Sequence, residues 1–236
     1  MITMDLSIVI PLYNEESCAK RIADGIVRHL EESKIDYELV LVNNGSKDAT
    51  PKIISELTES NPRIKHVNVE VNLGYGHGVH SGLKASKGDI LGWIDGDEQV
   101  MSEDIIKLYN VMKAGDYDIA KGRRLVREDG LKRGIASLFY NTLVNIFFLT
   151  WIEDVNAKPK LMKREVFESI SLESKDWFID TEFLIKSVKR HYRIGDVGII
   201  FAKRRSGKSN VKLITVSEFL YNLTNFRWKL WNKNQE

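Results

Sequence analysis

The 236-residue chain contains one cysteine, Cys18. An internal disulfide and any multi-cysteine metal site are thereby excluded, and a reducing compartment fits. Net charge is also scarce. The 35 Lys and Arg stand against 33 Asp and Glu, leaving +2, so bulk charge points to no nucleic-acid partner. No internal repeat and no linker interrupts the chain. Its first residues, Met1-Ile2-Thr3-Met4-Asp5, carry neither a basic n-region nor an apolar h-region, so no secretory signal is expected. A clean transmembrane run is missing too. The longest uncharged stretch, Gly134 to Ile152, has the length to span a bilayer. Within it, however, Ser137, Asn141 and Asn145 recur every four residues and lay a polar stripe on one helical face. A helix that is half buried or lies at an interface is expected instead.

What is present describes a folded enzyme-sized unit. Hydrophobic residues make up 43% and charged residues 29%, near the globular average and far from disordered or collagen-like classes. The charge is unevenly placed. From Lys203 onward eight Lys and Arg face two Glu, so the first 202 residues carry a net −4. A basic tail on a mildly acidic body suggests an anionic partner for the tail.

Short apolar runs alternate with helical periodicity through the first half. Leu6 to Ile10, Tyr37 to Val42, Ile64 to Val71, Asp89 to Ile94 and Asp118 to Lys121 read as strands, the first ended by Pro11. Ser17 to Ser33, a segment opening at Thr50-Pro51, a segment from Gly74-Gly78 to Lys87-Gly88, and Ser102 to Ala114 read as the helices between them. This is the pattern of a parallel sheet covered on both faces. The second half predicts a helix over 135–150, a strand near Lys160-Leu161-Met162, a helix around 179–190, a strand from Arg193 to Phe201 and a helix from Val216 to Trp231. One domain over residues 1–212 and a C-terminal amphipathic helix over 213–236 are expected.

Ligands of open parallel sheets bind at the carboxyl ends of strands. Three expected strand ends are polar: Tyr13-Asn14-Glu15-Glu16, Asn43-Asn44-Gly45-Ser46, and Asp95-Gly96-Asp97-Glu98-Gln99. The last is the sharpest signal. Asp95, Asp97 and Gln99 offer oxygens in alternation, a donor set suited to Mg²⁺ or Mn²⁺ beside substrate phosphates, and Gly96 would let a ligand approach the backbone. A solvated acidic turn is the plain alternative. Gly76-His77-Gly78 with Gly82 is rejected as a dinucleotide fingerprint, because it follows the third strand and no acidic ribose reader follows it. Gly207-Lys208-Ser209 is rejected as a phosphate loop, because position 202 is Ala. Basic clusters at Lys121, Arg123, Arg124 and Arg127, at Lys132 and Arg133, and at Lys203, Arg204, Arg205 and Lys208 flank the acidic segment and suit phosphates.

Taken in order, these motifs resemble the inverting family-two glycosyltransferases of the GT-A fold, and among them the dolichyl-phosphate mannosyltransferase-like group that glycosylates polyprenyl phosphates. The resemblance runs over about residues 5–212 through Ile10-Pro11-Leu12-Tyr13-Asn14-Glu15, Asn72-Leu73-Gly74-Tyr75-Gly76, Ala85-Ser86-Lys87-Gly88-Asp89, Asp95-x-Asp97-x-Gln99, Lys121-Gly122-Arg123-Arg124, Asp180-Thr181-Glu182 and Arg204-x-x-Gly207-x-Ser209. It implies an α/β fold with a Rossmann-like, mostly parallel central sheet and helices on both faces. It places Pro11, Tyr13 and Glu15 around the nucleoside, Asp95 and Gly96 at ribose or phosphate, and Asp95, Asp97 and Gln99 at a Mg²⁺ or Mn²⁺ ion. Arg124 and Arg204 join Asp97 as catalytic groups; Arg123, Arg133, Ser137 and Lys208 meet donor or acceptor phosphates. The partners implied are a nucleotide-sugar and a polyprenyl-phosphate lipid, at the cytoplasmic face of a membrane with the protein peripheral to it.

Two positions depart from the family. Asn43-Asn44 stand where paired aspartates are usual, and Asn210 stands where its Arg-x-x-Gly-x-Ser-Lys motif ends in Lys. An Asn amide pairs with the adjacent N–H and carbonyl of uracil better than with the two donors of guanine, so a UDP-sugar is expected ahead of a GDP-sugar at this pair. An ionised acceptor phosphate needs no strong base; Asp180 and Glu182 are the candidates if a hydroxyl of a growing glycan is the acceptor instead. The C-terminal stripe of Phe219, Leu220, Leu223, Leu230 and Trp231 is expected on a bilayer or against the body. A non-catalytic regulator and a sugar nucleotidyltransferase are the weaker alternatives.

Overall fold

The computed structural model describes residues 4–202 and 214–233, apart from positions 116 and 129. Arg204 and Lys208, with the rest of 203–213, lie outside the described residues.

The strands β1 (Leu6–Leu12), β2 (Tyr37–Asn44), β3 (Ile64–Val69), β4 (Ile90–Trp93), β5 (Ile119–Arg127), β6 (Lys160–Lys163) and β7 (Ile194–Phe201) form one sheet in the order β3-β2-β1-β4-β6-β5-β7. β3, β2, β1 and β4 run parallel; β6 is antiparallel to β4 and β5; β5 and β7 are parallel. The mostly parallel α/β sheet expected from the sequence is therefore present. Strand alternation divides the core. Leu6, Ile8, Ile10 and Leu12 of β1, with Leu39 and Leu41 of β2, face α1 (Ala19–Glu32), α2 (Thr50–Ser60) and α4 (Ser102–Lys113). Val9, Val40, Val42, Leu91 and Trp93 face the other side. There they meet α3 (Tyr75–Ala85), α5 (Leu131–Phe148), α6 (Arg164–Ser169), α7 (Ile179–Lys189) and α8 (Ile214–Lys233). Each fully buried aliphatic chain contributes about 1.5–3 kcal/mol.

Several boundaries differ from the sequence reading for local reasons. Pro11 does not end β1. Alternation turns its nitrogen to the β4 side, where pairing has already stopped at Val9–Trp93, so the missing N–H costs no ladder bond. β5 runs on to Arg127 because β7 pairs with it as far as Phe201. Gly82 lets α3 lie close on the sheet, since a Cβ there would stand 2.3 Å from Val9 Cγ1, and Gly76 lets the start of α3 pass the loop at Ser174, whose carbonyl oxygen would lie 2.5 Å from a Cβ; close packing on two sides explains these glycines of the apparent dinucleotide motif.

The uncharged stretch forms α5, and its polar stripe turns inward. Asn141 Oδ1 accepts the Val155 N–H at 3.1 Å, and Asn145 bonds both the N–H and the carbonyl of Ile152. Among the described residues no helix is long and apolar enough to cross a membrane. The centre of α8 packs on the body. Leu223 is buried, and Phe226 meets Phe148 and Phe178 at ring-centroid distances of 5.7 and 5.4 Å. Leu223, one of the stripe expected on a bilayer or against the body, is packed into the core, while Leu220 stays exposed; the side chains of Phe219, Leu230 and Trp231 lie outside the described residues.

Candidate active site

The chain goes from β1 outward to β2 and β3, then returns to add β4 on the other side of β1. That reversal opens a crevice at the carboxyl ends of β1 and β4, the usual ligand position in such sheets. Pro11 and Leu12 form one lip, and Asp95-Gly96-Asp97 follows β4 on the other. The loop after β1 is fastened to the loop after β2. The Asn14 N–H donates to Ser46 Oγ at 3.1 Å, the Lys47 N–H to Asn14 Oδ1 at 2.8 Å, and the Ala49 N–H to Glu16 Oε2 at 2.8 Å. The Glu15 N–H donates to Thr50 Oγ1 at 2.9 Å. Tyr13 and Glu15 sit half-buried on this braced wall.

Asp95 is the hinge of the site. Its Oδ1 accepts the Tyr75 hydroxyl at 2.6 Å, and its Oδ2 lies 3.4 Å from Lys158 Nζ. Tyr75 stacks on Trp177 at 4.1 Å between ring centroids, and the Lys158 ammonium lies 5.1 and 5.7 Å from those two centroids. Burial, reinforced by the Asp95 carboxylate, pushes the Tyr75 phenol well above its ordinary value. Behind it lies a buried charge cluster. Asp180 Oδ2 is 2.8 Å from Lys158 Nζ, and Lys160 Nζ donates to Asp180 Oδ1 at 2.6 Å and to the Ala157 carbonyl at 2.7 Å. Burial alone would push Lys158 down; Asp180 and Asp95 overcome it and hold Lys158 above its ordinary value. At Lys160 burial outweighs Asp180 and pushes the ammonium down to about 8. Burial would raise Asp180, but the two lysines hold it low.

Oxygen donors suited to a divalent ion stand at the rim. Asp97 is half-buried and its Oδ1 accepts the Gln99 N–H at 3.2 Å. The Gln99 amide nitrogen donates to the Ala202 carbonyl at 3.0 Å, which leaves its oxygen as the atom it can offer. Among the described residues no three His, Cys, Asp or Glu side chains converge. A metal would therefore rest on the carboxylates of Asp95 and Asp97 and the Gln99 oxygen, with coordination positions left for phosphate oxygens. That donor set fits Mg²⁺ or Mn²⁺. Gly96 serves packing rather than ligand approach, since a Cβ there would lie 2.6 Å from Leu12 Cδ2.

Other expected groups are placed differently. Both Asn amides are engaged by protein. Asn43 Nδ2 donates to Asn68 Oδ1 at 2.6 Å while its Oδ1 accepts the Ser46 N–H at 3.0 Å. Asn44 Nδ2 donates to the Gly74 carbonyl at 3.1 Å, and its buried Oδ1 has no hydrogen-bond partner. Reading of a base by this pair is corrected to bracing of the strand ends, and the amides stand where acceptors need donors. Asn44→Asp is expected to set a carboxylate against the Gly74 carbonyl. The cost is about 1–3 kcal/mol, or a fall in Tm of about 2–12 °C, measured by calorimetry; an unchanged Tm would refute this account.

Arg124 is clamped rather than open. Its Nε donates to Asp154 Oδ2 at 2.9 Å, its Nη2 bonds Asp154 Oδ1 and lies 3.4 Å from Ser137 Oγ, and its guanidinium covers the Phe201 ring at 5.0 Å. A phosphate reaching Arg124 must share it with Asp154. Arg123, by contrast, is exposed and pairs with Glu153 at 2.7 Å. Arg133 is exposed on the first turns of α5. Lys121 is buried against Asp196 and is withdrawn from the expected phosphate cluster. Asp180 and Glu182 are both buried. Glu182 accepts the N–H groups of Glu173 and Ser174 and the Lys186 ammonium. Neither presents a carboxylate to solvent for proton abstraction.

Sequence reasoning missed Lys158, Lys160 and Trp177. Lys158-Pro159-Lys160 leading into a short strand was the available signal, but nothing local said that two lysines would be buried on one carboxylate.

Glycosyltransferase AglD of Haloferax volcanii is 28% identical over 89% of this chain, which spans 35% of that protein. The chain thus covers about a third of this relative's length. The bactoprenol glucosyl transferase of Shigella phage SfX is 33% identical over 97% of this chain and 70% of its own. Glucosyl-3-phosphoglycerate synthase from Mycobacterium tuberculosis, solved with Mn²⁺, UDP and glucosyl-3-phosphoglycerate, superposes with a TM-score of 0.75. The match is 20% identical and covers 94% of this chain and 77% of that one, a likeness of fold. Residues 7–171 match the description Glycosyl transferase family 2. With its Asp-x-Asp-x-Gln segment at the switch point of a mostly parallel sheet, the chain belongs to glycosyl transferase family 2 and carries the GT-A fold.

Proposed function

We propose that this protein transfers a sugar from a nucleotide-sugar, a UDP-sugar in preference to a GDP-sugar, to a polyprenyl phosphate, inverting the anomeric centre. The observation that carries the reading is the likeness along almost the whole chain to a bactoprenol glucosyl transferase, 33% identical over 97% of it. The preference for UDP is supported by the UDP held in the structural neighbour and no longer by the Asn43-Asn44 amides.

In this reading the nucleoside lies along Pro11, Tyr13 and Glu15, and the diphosphate lies toward Asp95 and Asp97. A divalent ion held by Asp95, Asp97 and Gln99 would supply positive charge for the departing diphosphate. Lys158, fixed by Asp95 and Asp180, adds a charge of the same sign beside the site. Arg123, Arg133 and Ser137, with Arg204 and Lys208 of the segment outside the described residues, are the groups assigned to donor and acceptor phosphates. An acceptor phosphate has a second pKa of about 6 and is largely ionised at neutral pH. It attacks without giving up a proton, which agrees with the burial of both candidate bases. A lipid acceptor brings the protein to a membrane surface, peripherally at its cytoplasmic face. Transfer to a glycan hydroxyl is the second reading, and the exposure of a competent base would favour it.

A screen of UDP- and GDP-sugars against a polyprenyl phosphate, read by product mass with Mn²⁺ present, tests the proposal. A glycosyl phospholipid from a UDP-sugar is expected. Transfer only to free glycan hydroxyls would overturn the acceptor, and a preference for GDP-sugars would overturn the donor.

A further inference from the structure

The loop that carries the proposed metal ligands holds one residue in an unfavourable backbone conformation. Glu98, between Asp97 and Gln99, has a φ of +60°. In this left-handed region the Cβ of an L-residue crowds the following carbonyl oxygen, so few residues other than glycine, Asn and Asp adopt it. Such a conformation persists only where the surroundings enforce it. Relaxation of Glu98 to a negative φ would turn the chain between Asp97 and Gln99 and change how their side chains are aimed.

Helix α1 supplies the enforcement. Arg21 Nε donates to Glu98 Oε1 at 2.9 Å, and Arg21 Nη2 donates to Glu98 Oε2 at 2.8 Å. A two-bond fork of this kind fixes a carboxylate in direction as well as in distance. The Glu98 side chain is only 12% exposed, so water competes little for it. With both oxygens engaged, Glu98 is withdrawn from the metal's donor set. Three residues earlier, at the cap of the same helix, Cys18 Sγ lies 3.3 Å from the Gly96 carbonyl oxygen. At the other end of the loop, Gln99 donates its side-chain amide to the Ala202 carbonyl and accepts the Ala202 N–H on its own carbonyl at 2.9 Å. The loop is thus gripped at Gly96, Glu98 and Gln99, with the strained residue held by a side chain from α1.

We propose that Arg21 and Glu98 are positioning residues for the divalent ion. Their ion pair holds Glu98 left-handed and keeps Asp97 and Gln99 in register before the ion arrives. Affinity depends on this, because an apparent dissociation constant rises as the fraction of competent loop falls. The proposal rests on the reading of Asp95, Asp97 and Gln99 as the ion's ligands and is independent of the sugar and the acceptor.

Titration of Mn²⁺ alone into the full chain, with free Mn²⁺ read by electron paramagnetic resonance, tests it in Arg21→Met, Glu98→Gln, the double variant and Asp97→Asn. Arg21→Met should weaken Mn²⁺ binding about three- to tenfold, Glu98→Gln at least as much, and the double variant no more than Glu98→Gln. The sign at Arg21 separates positioning from the electric field. Loss of a nearby positive charge would by itself tighten binding of a cation, whereas loss of positioning weakens it. Unchanged or tighter Mn²⁺ binding by Arg21→Met overturns the proposal, as do losses that add in the double variant. So does a fall in Tm with Mn²⁺ affinity unchanged, the mark of a merely structural pair. Should Glu98→Gln fail to fold, Arg21→Met decides alone, because its side chain is exposed. If Asp97→Asn binds Mn²⁺ as the wild type does, or the wild type binds none, the ligand reading falls and takes the proposal with it. If Asp97→Asn is weakened and Arg21→Met is not, only the positioning pair falls.

Discussion

Asp97→Asn should lower sugar transfer by about 10²–10³-fold at saturating Mn²⁺ while leaving Tm within about 2 °C of the wild type. Asp97 is half-buried at the rim beyond β4, and its Oδ1 receives the Gln99 N–H. An Asn carbonyl keeps that hydrogen bond and nearly the same volume, so the fold loses little. The change removes one unit of negative charge and one of two carboxylates from a donor set that has no third acidic member among the described residues. Calorimetric titration with Mn²⁺ gives a readout apart from turnover, and weaker Mn²⁺ binding is expected in the variant. A variant with wild-type rate and wild-type Mn²⁺ affinity would show that the ion, if one is used, is held elsewhere.

The contrast between Asp97 and the interior shows what the sequence could and could not disclose. β1, β2 and β4 were legible because a strand buried on both faces is a nearly unbroken apolar run, and Leu6–Leu12 and Tyr37–Asn44 are buried throughout. Asp95 and Asp97 were legible because carboxylates directly after such a run have few structural uses. β5 was read short, since Arg123 and Arg124 in its second half carry no strand signal of their own; pairing with β7 makes that half a strand. The roles of Asn43 and Asn44 depended on what stands opposite them, Asn68 and the Gly74 carbonyl, which are far away in sequence. The α5 stripe of Ser137, Asn141 and Asn145 was visible as a pattern, but its direction was not. An Asn row ordinarily faces water, and here the loop at Ile152 and Val155 needed side-chain partners for its backbone.

The buried cluster around Asp180 leads to the other large effect. Asp180→Asn should cost about 3–5 kcal/mol, a fall in Tm of about 6–20 °C. The carboxylate is 1% exposed and is the shared partner of Lys158 and Lys160, which are themselves buried. Removing its charge leaves two ammonium groups in a site that already pushes Lys160 down to about 8. The pH dependence follows from the signs. In the wild type Asp180 is held low, so its stabilisation is present above the ordinary carboxylate value and is lost only as pH falls through the folded-state value. In the variant Lys160 is depressed further, and Lys158 loses the largest of the charges that hold it up. A lysine whose folded value lies below its unfolded one destabilises the fold as pH falls between the two, so stability should recover as pH rises. Between pH of about 6 and 8 the wild type should stay nearly flat at this site while the variant gains, and the gap in Tm should narrow. Thermal unfolding of both proteins across that range checks it. A general base would behave otherwise: Asn at position 180 would leave Tm unchanged, abolish transfer to a hydroxyl acceptor and remove the acidic limb of the rate profile. That outcome would return Asp180 to catalysis and with it the glycan-extending reading.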